Sequence, residues 1–467
     1  MGGNHGGGRR RGRRRLISWA LVSVIVLAAV ASGALLVART FGDHGQLPPG
    51  IASRPAPLSV APRIVPVAAN APEPTSDGIA RRIAAAVRAP SLGEFTGQIS
   101  DSLTGATLWS KSPMTPRIPA SNTKILTAAA ALLGMSHGKR VTTTVIEGSN
   151  GQVILKGAGD PTLSAQPLRA QTFYTDPGRI ASLAAAVRKS GIRPTSVAVD
   201  LTAISGPTMD STWSRSDIAG GDIAPIEPLM ADGARTDPLD EYSPRVDDPG
   251  LRAGRELAAD LGVSAAVTEA TAPPNGRILA SVSSAPLVTR VNDMLRYSDN
   301  VLAEALGVEL SQARHGPATL SGGAHAVIDT LTENGFDMSG VTLRDTSGLS
   351  YANRVPAAVL DTLMAAASGP TGPDAKWAAL RPMLDGLPIA GGTGTLADRF
   401  TAGENPGAGW VRAKTGTLTG VSSLTGIVQT VDGRVLSFAL MSGGTSPADA
   451  RPALDDVAGD LRECGCR

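Results

Sequence analysis

The sequence predicts an α/β chain of the α+β kind, with one mostly antiparallel sheet covered by helices and carrying an inserted subdomain. Three observations predict it. A hairpin pattern lies early, at Phe95–Ser110, and three strand patterns crowd near the end, between Trp410 and Gly444. Four helical patterns lie between them, from Leu287 to Ala367, and helices of 3.6-residue period are what cover such a sheet. The stretch 140–286 mixes short strands, a helix and many Pro, Asp and Gly turns between segments that read as parts of one core, which marks an insertion.

At 467 residues the chain exceeds one average domain, so a large domain with an insertion, or two to three modules, is expected. Hydrophobic residues make up 42% and aromatics 3%, so a sizeable core must rest on aliphatics. The run Arg9–Arg15 holds more positive charge than the whole chain's net +2, leaving an acidic remainder and excluding a nucleic-acid binder on charge grounds. Cys464 and Cys466 are separated by one residue, a spacing that strains a mutual disulfide and lacks the second half of a zinc site, so the tail reads as chemically incidental.

Along the chain, residues 1–15 read as a basic cytoplasmic tail. Leu16–Ala38 follows without a charge and is long enough to cross a bilayer. Basic residues before it put the N-terminus inside and the body on the extracytoplasmic face of the membrane; a secretory signal cleaved at Ala29-Val30-Ala31 is the alternative. Residues 39–77 are a Pro-rich linker. A first amphipathic helix, Gly78–Ala89, precedes the hairpin, and an apolar helix begins near Ala120. Residues 78–139 and 287–467 then form the main domain around the inserted 140–286. Within the insertion Val141–Gly148 and Gln152–Gly159 read as strands around a Ser149-Asn150 turn, and Arg179–Gly191 as a helix. Later helices are expected over Leu287–Arg296, Asp299–Leu310, Gly322–Asn334 and Pro356–Ala367. The final strands turn at Asp432-Gly433, and a last helix spans Pro447–Arg462.

The helix at "ASNTKILTAAAAL" raises a chemical question, because a lysine in a first turn is mildly repelled by the helix dipole. Ser121 and Lys124 stand at i and i+3 and share a face. Burial among Ile125, Leu126 and the alanines would lower the lysine pKa, giving an amine able to take the serine proton beside free N–H groups that suit an oxyanion. By itself the pattern also fits a capping serine and a surface lysine. Ser298-Asp299-Asn300 at a helix start and Lys414-Thr415-Gly416 in a strand change that reading, because S-x-x-K, S-x-N and K-T-G in this order form a known acyl-transfer signature.

On these motifs the chain resembles the penicillin-binding protein 4 family of serine D-alanyl-D-alanine carboxypeptidases and endopeptidases, from about Gly78 to the C-terminus. The stretches "LKGAGDPTL" (Leu155–Leu163), "DTSGLSYANRV" (Asp345–Val355) and "GTLADRF" (Gly394–Phe400) are also typical of it. The resemblance implies a β-lactamase/penicillin-binding transpeptidase-like fold with an insertion between the first and second motifs. It implies that Ser121 attacks a D-Ala-D-Ala or D-Ala-meso-diaminopimelate-type bond in peptidoglycan stem peptides and that Lys124 takes its proton. Ser298 and Lys414 relay a proton to the leaving amine, and Asn300 holds a substrate amide. Thr415 and Thr417 bind the terminal carboxylate, the Thr417 and Ser121 N–H groups hold the oxyanion, and Gly416 allows close approach. β-Lactams are expected as covalent inhibitors. The partners expected are therefore stem peptides, β-lactams and, through Leu16–Ala38, the membrane, with no nucleic acid.

Alternatives are a β-lactamase or esterase of the same fold, or a non-catalytic wall-binding protein. "GMSHG" (Gly134–Gly138) spells a nucleophile elbow, but a helix ends there and a strand follows, the reverse of that motif's setting. The five histidines lack metal spacing, so neither a metal nor a cofactor is implied. Asp160 is expected to set a turn before Pro161.

Overall fold

The computed structural model describes residues 70–370, 376–401 and 405–466. In chain order these hold helix α1 (Ser76–Ile83), strands β1 (Thr96–Asp101) and β2 (Thr107–Lys111), α2 (Thr123–Gly134), β3 (Thr142–Glu147), β4 (Gln152–Lys156), α3 (Ile180–Lys189), β5 (Ser196–Asp200), α4 (Pro249–Leu261), β6 (Thr268–Glu269) and β7 (Ile278–Ser283). The second half holds α5 (Leu287–Tyr297), α6 (Asn300–Ala313), α7 (Leu320–Glu333), α8 (Ala357–Ser368), β8 (Val411–Leu418), β9 (Val421–Gln429), β10 (Val435–Gly443) and α9 (Pro447–Arg462).

The main sheet runs β2-β1-β10-β9-β8 and is antiparallel throughout. β1 lies against β10 from Thr96↔Met441 to Asp101↔Leu436, so the two ends of the folded chain share one ladder. Alternation decides what each face meets. Ile99, Leu436, Phe438 and Leu440 join Leu454, Val457 and Leu461 of α9 and Ile79 and Ile83 of α1 in one aliphatic core. The other face carries Gln98 and Ser100, and both donate to the buried carboxylate of Asp361 on α8, at 3.0 and 2.5 Å. Side-chain caps start the helices: Asp299 accepts from Leu302 N–H at 2.8 Å for α6, and Thr319 from Gly322 N–H at 2.9 Å for α7.

A second sheet, β6-β5-β4-β3-β7, is antiparallel at β4-β3-β7 and parallel at β4-β5-β6. Val145, Val153, Leu155, Val197 and Val199 pack against Ile180, Leu183 and Val187 of α3 and Leu257 of α4. The strand that follows α2 and the strand that precedes α5 are neighbours, with Thr142 opposite Ser283.

Several expectations need correction. α4 falls in the stretch 140–286, where the sequence predicts one helix, Arg179–Gly191, amid short strands and turns. At Gly254 a Cβ would come within 2.6 Å of Val199, so the glycine is there for close packing on β5. The two tail cysteines are bonded to each other, with Cys464 buried in the core beside α1, so that tail is not incidental to the packing. The membrane anchor is corrected too. Among the described residues no helix is long and apolar enough to cross a membrane. The longest, α9, has 16 residues and carries charges along its length, short of the roughly 20 apolar residues a span needs. The expected transmembrane span, and with it the membrane as a partner and the placement at the membrane face, finds no support among the described residues. Residues 1–69, including Leu16–Ala38 and most of the linker, lie outside the described residues.

Candidate active site

Ser121 is the middle residue of a 3-10 turn, Ala120–Asn122, that leads into α2. The turn is held in an unfavourable shape, since Ala120 has φ 48°, a left-handed value that a residue with a Cβ seldom adopts. Neighbours on several sides enforce it. Ser423 Oγ donates to Pro119 O at 2.7 Å, and Asn122 Nδ2 to Thr425 Oγ1 at 2.9 Å, tying the turn to β9. Gly416 of β8 and Gly348 press against it so closely that a Cβ on either would clash, the first 2.6 Å from Pro119 O and the second 1.8 Å from Ala120 O.

Lys124 is fully buried beneath Ser121. Its Nζ donates to Ser121 Oγ at 3.0 Å, Asn300 Oδ1 at 2.6 Å and the Ser347 carbonyl at 2.7 Å, using all three protons of an ammonium. Burial pulls its pKa down to about 8, against the opposing attraction of the Asp345, Glu304 and Asp299 carboxylates. A partly neutral amine in contact with a hydroxyl is therefore present near pH 7 to 8.

On the other side Lys414, also fully buried, donates to Ser298 Oγ at 2.8 Å and to the Thr415 carbonyl at 2.8 Å. Burial, reinforced by the Lys124 charge, pushes Lys414 well below its usual pKa, while Glu241 acts the other way. Asn300 Nδ2 donates to Asp222 O at 2.9 Å, which fixes its amide with the oxygen toward Lys124. Thr415 Oγ1 lies 2.8 Å from Thr395 Oγ1.

The residues singled out from the sequence thus meet in one place. Ser121, Ser298, Asn300, Thr415 and Thr417 line a cleft of about 380 Å³, Lys124 and Lys414 lie under it, and Gly416 backs the serine turn. Ser136 of "GMSHG" is not among the lining residues, and His137 Nε2 lies 3.2 Å from Leu132 O at the exit of α2. Asp160 Oδ1 accepts from Thr162 N–H at 2.9 Å and Thr162 Oγ1 at 2.6 Å, closing the turn around Pro161.

Sequence reasoning assigned nothing to the residues that shape the Lys124 pocket from behind. Asp345 accepts from Gly348 N–H, Ser350 N–H, Asn353 Nδ2 and Trp213 Nε1 at 2.7–2.9 Å, folding the loop that aims the Ser347 carbonyl. Glu304 on α6 accepts from the Ser347 and Thr346 N–H groups of that loop at 2.7 and 3.1 Å. Burial and then the Asp345 charge raise its pKa to about 8. Both Asp345 and the Thr395 partner of Thr415 lie in stretches quoted for the resemblance, but no spacing rule marks a backbone carbonyl as a ligand.

The sequence profile of the D-Ala-D-Ala carboxypeptidase 3 (S13) family matches residues 79–240 and 238–463. Carboxypeptidase DacB of Mycolicibacterium smegmatis is 46% identical over 453 residues, covering 95% of this chain and 97% of that protein. Carboxypeptidase Rv3627c of Mycobacterium tuberculosis is 47% identical over 418 residues, covering 88% of this chain and 89% of that one. Among solved structures, penicillin binding protein 4 (dacB) from Haemophilus influenzae shares the fold, with a TM-score of 0.66 at 20% identity over 83% of this chain and 98% of that chain. A profile that runs through nearly all of the described residues, together with two relatives close to half identical, establishes that the chain belongs to the D-Ala-D-Ala carboxypeptidase 3 (S13) family.

Proposed function

We propose that the chain is a serine DD-carboxypeptidase that removes the terminal D-alanine from peptidoglycan stem peptides through an acyl-enzyme on Ser121. The observation that carries this reading is the contact at 3.0 Å between the buried Lys124 amine and Ser121 Oγ. The neutral amine takes the hydroxyl proton as Oγ attacks the carbonyl between the two D-residues. The Ser121 and Thr417 N–H groups receive the developing oxyanion. Ser298, in contact with Lys414, passes a proton to the departing amine, and Asn300 holds the amide of the stem. The hydroxyls of Thr415 and Thr417, beside Lys414, suit the terminal carboxylate. Water then releases the acyl group and regenerates Ser121. A β-lactam offers the same carbonyl-plus-carboxylate pattern but keeps its leaving group tethered, so it should acylate Ser121 and remain there.

Incubating the full chain with a stem pentapeptide should release D-alanine, and a fluorescent penicillin should leave a lasting adduct. Ser121→Ala should abolish both while the protein stays folded. Equal labelling of that variant would sink the proposal, and rapid appearance of hydrolysed penicillin would favour a β-lactamase instead.

A further inference from the structure

Asp299, the middle residue of Ser298-Asp299-Asn300, borders the same cleft as Arg235 and Arg245, and its carboxylate is held in a buried cluster from residues 140–286. Arg235 Nη2 lies 2.7 Å and Arg245 Nη2 3.6 Å from Asp299 Oδ2, with all three side chains at most 3% exposed. Tyr174 donates its hydroxyl to the same oxygen at 2.8 Å and accepts from Arg235 Nη1 at 3.0 Å. The Arg235 guanidinium is stacked on Phe173, 3.7 Å from the ring centre, and Phe173 in turn meets Tyr297, the residue before Ser298, at 4.7 Å. Arg245 is anchored by donating to the carbonyls of Gly221 and Gly233. Arg235 and Arg245 also face each other as an antiparallel bridge at the base of one loop. Burial alone would favour a neutral Asp299, but Arg235 and Arg245, with the Leu302 N–H, hold its carboxyl well below the usual carboxylate range.

Ser298 has φ 56° and ψ 32°, the left-handed region. A non-glycine residue there is strained and persists where its surroundings over-determine it.

We infer that Arg235, Arg245 and Tyr174 are positioning residues for the acyl-transfer step: by clamping Asp299 they hold Ser298 in its left-handed conformation against Lys414 and keep Asn300 against Lys124. The inserted region thus completes the site from outside the main sheet. This rests on the proposed roles of Ser298 and Asn300.

The test uses the full chain and a fluorescent penicillin, with active sites titrated and the acylation constant at saturation separated from the apparent affinity. Arg235→Met should fold less stably and, per titrated site, acylate about tenfold to a hundredfold more slowly, as misplacement by about 1 Å does. Tyr174→Phe, which removes one hydroxyl and keeps the ring, should slow acylation about twofold to threefold, a share of the same misplacement. Where Arg235→Met does not fold, Asp299→Asn serves in its place with the same expected slowing. A purely structural clamp would lower the melting temperature and the number of active sites but leave the per-site constant unchanged. Per-site constants within twofold of the parent for Tyr174→Phe and for Arg235→Met or its replacement would therefore overturn the inference. Its failure is distinct from failure of the proposed function, which would show as no Ser121-dependent labelling of the parent chain.

Discussion

The pH dependence of acylation tests the Lys124 amine most directly. At pH 7 a lysine of pKa 10.5 is neutral about once in three thousand molecules, whereas one near 8 is neutral about once in eleven. The gain is roughly three-hundredfold, or about 3 kcal/mol of the barrier. The cause is desolvation of an ammonium with no exposure, and the three carboxylates that pull the other way set its limit. The second-order rate of labelling by a fluorescent penicillin, measured from pH 5.5 to 9.5 on titrated sites, should rise about tenfold per pH unit and level off near pH 8. A limb that keeps climbing toward pH 10 would mean that Lys124 stays an ordinary ammonium. A flat profile would mean that its proton state does not limit attack. Either result would refute the reasoning.

Gly348→Ala places a methyl 1.8 Å from Ala120 O at a residue of φ 89°; it should destabilise the fold by about 3 kcal/mol or more and slow labelling at least about a hundredfold, read by melting and by gel. Burial raises the Asp361 pKa to about 6, against the hydrogen bonds from Ser100 and Gln98. Its folded value thus lies above the unfolded 3.8, so the stability it confers is complete below pH 3.8 and is lost as the pH rises through 6. Asp361→Asn, which keeps the shape without the charge, should therefore gain in relative stability by about 1.4 kcal/mol between pH 5 and pH 7.5, the upper part of a total of about 3 kcal/mol that starts to accrue near pH 3.8. A melting-temperature difference independent of pH would contradict this.

The helices from Leu287 onward were legible because they are runs of helix-forming, largely apolar residues with sequence-local caps, as at Asp299 and Thr319. The β9–β10 ladder was legible because Asp432-Gly433 is a local turn signal between two strand patterns. α4 was not, since what Gly254 needs is nearness to Val199, and nearness between distant segments leaves no local mark. The start of α2 was read as regular helix, whereas Ala120 is bent by Gly348, Gly416 and Ser423, residues scattered along the chain. In the site, side chains that act by chemical type stood out as motifs. The groups that aim them, the Ser347 carbonyl, the carboxylates of Glu304 and Asp345, and the arginines on Asp299, act through burial and backbone position and left no pattern to read.

The pairing of β1 with β10 has a consequence for how the molecule can be made. A ribosome threads out Thr96–Asp101, inward-facing on both sides, long before Val435–Gly443 exists. Until then the early hairpin is a two-stranded ribbon, which is marginal in water and offers an open edge to other chains. Closing so long a loop adds little entropy, because that cost grows only with the logarithm of length, but the delay is unavoidable. Truncation anywhere before Val435 should yield aggregate and no partial enzyme, although the serine and its lysine would already be present.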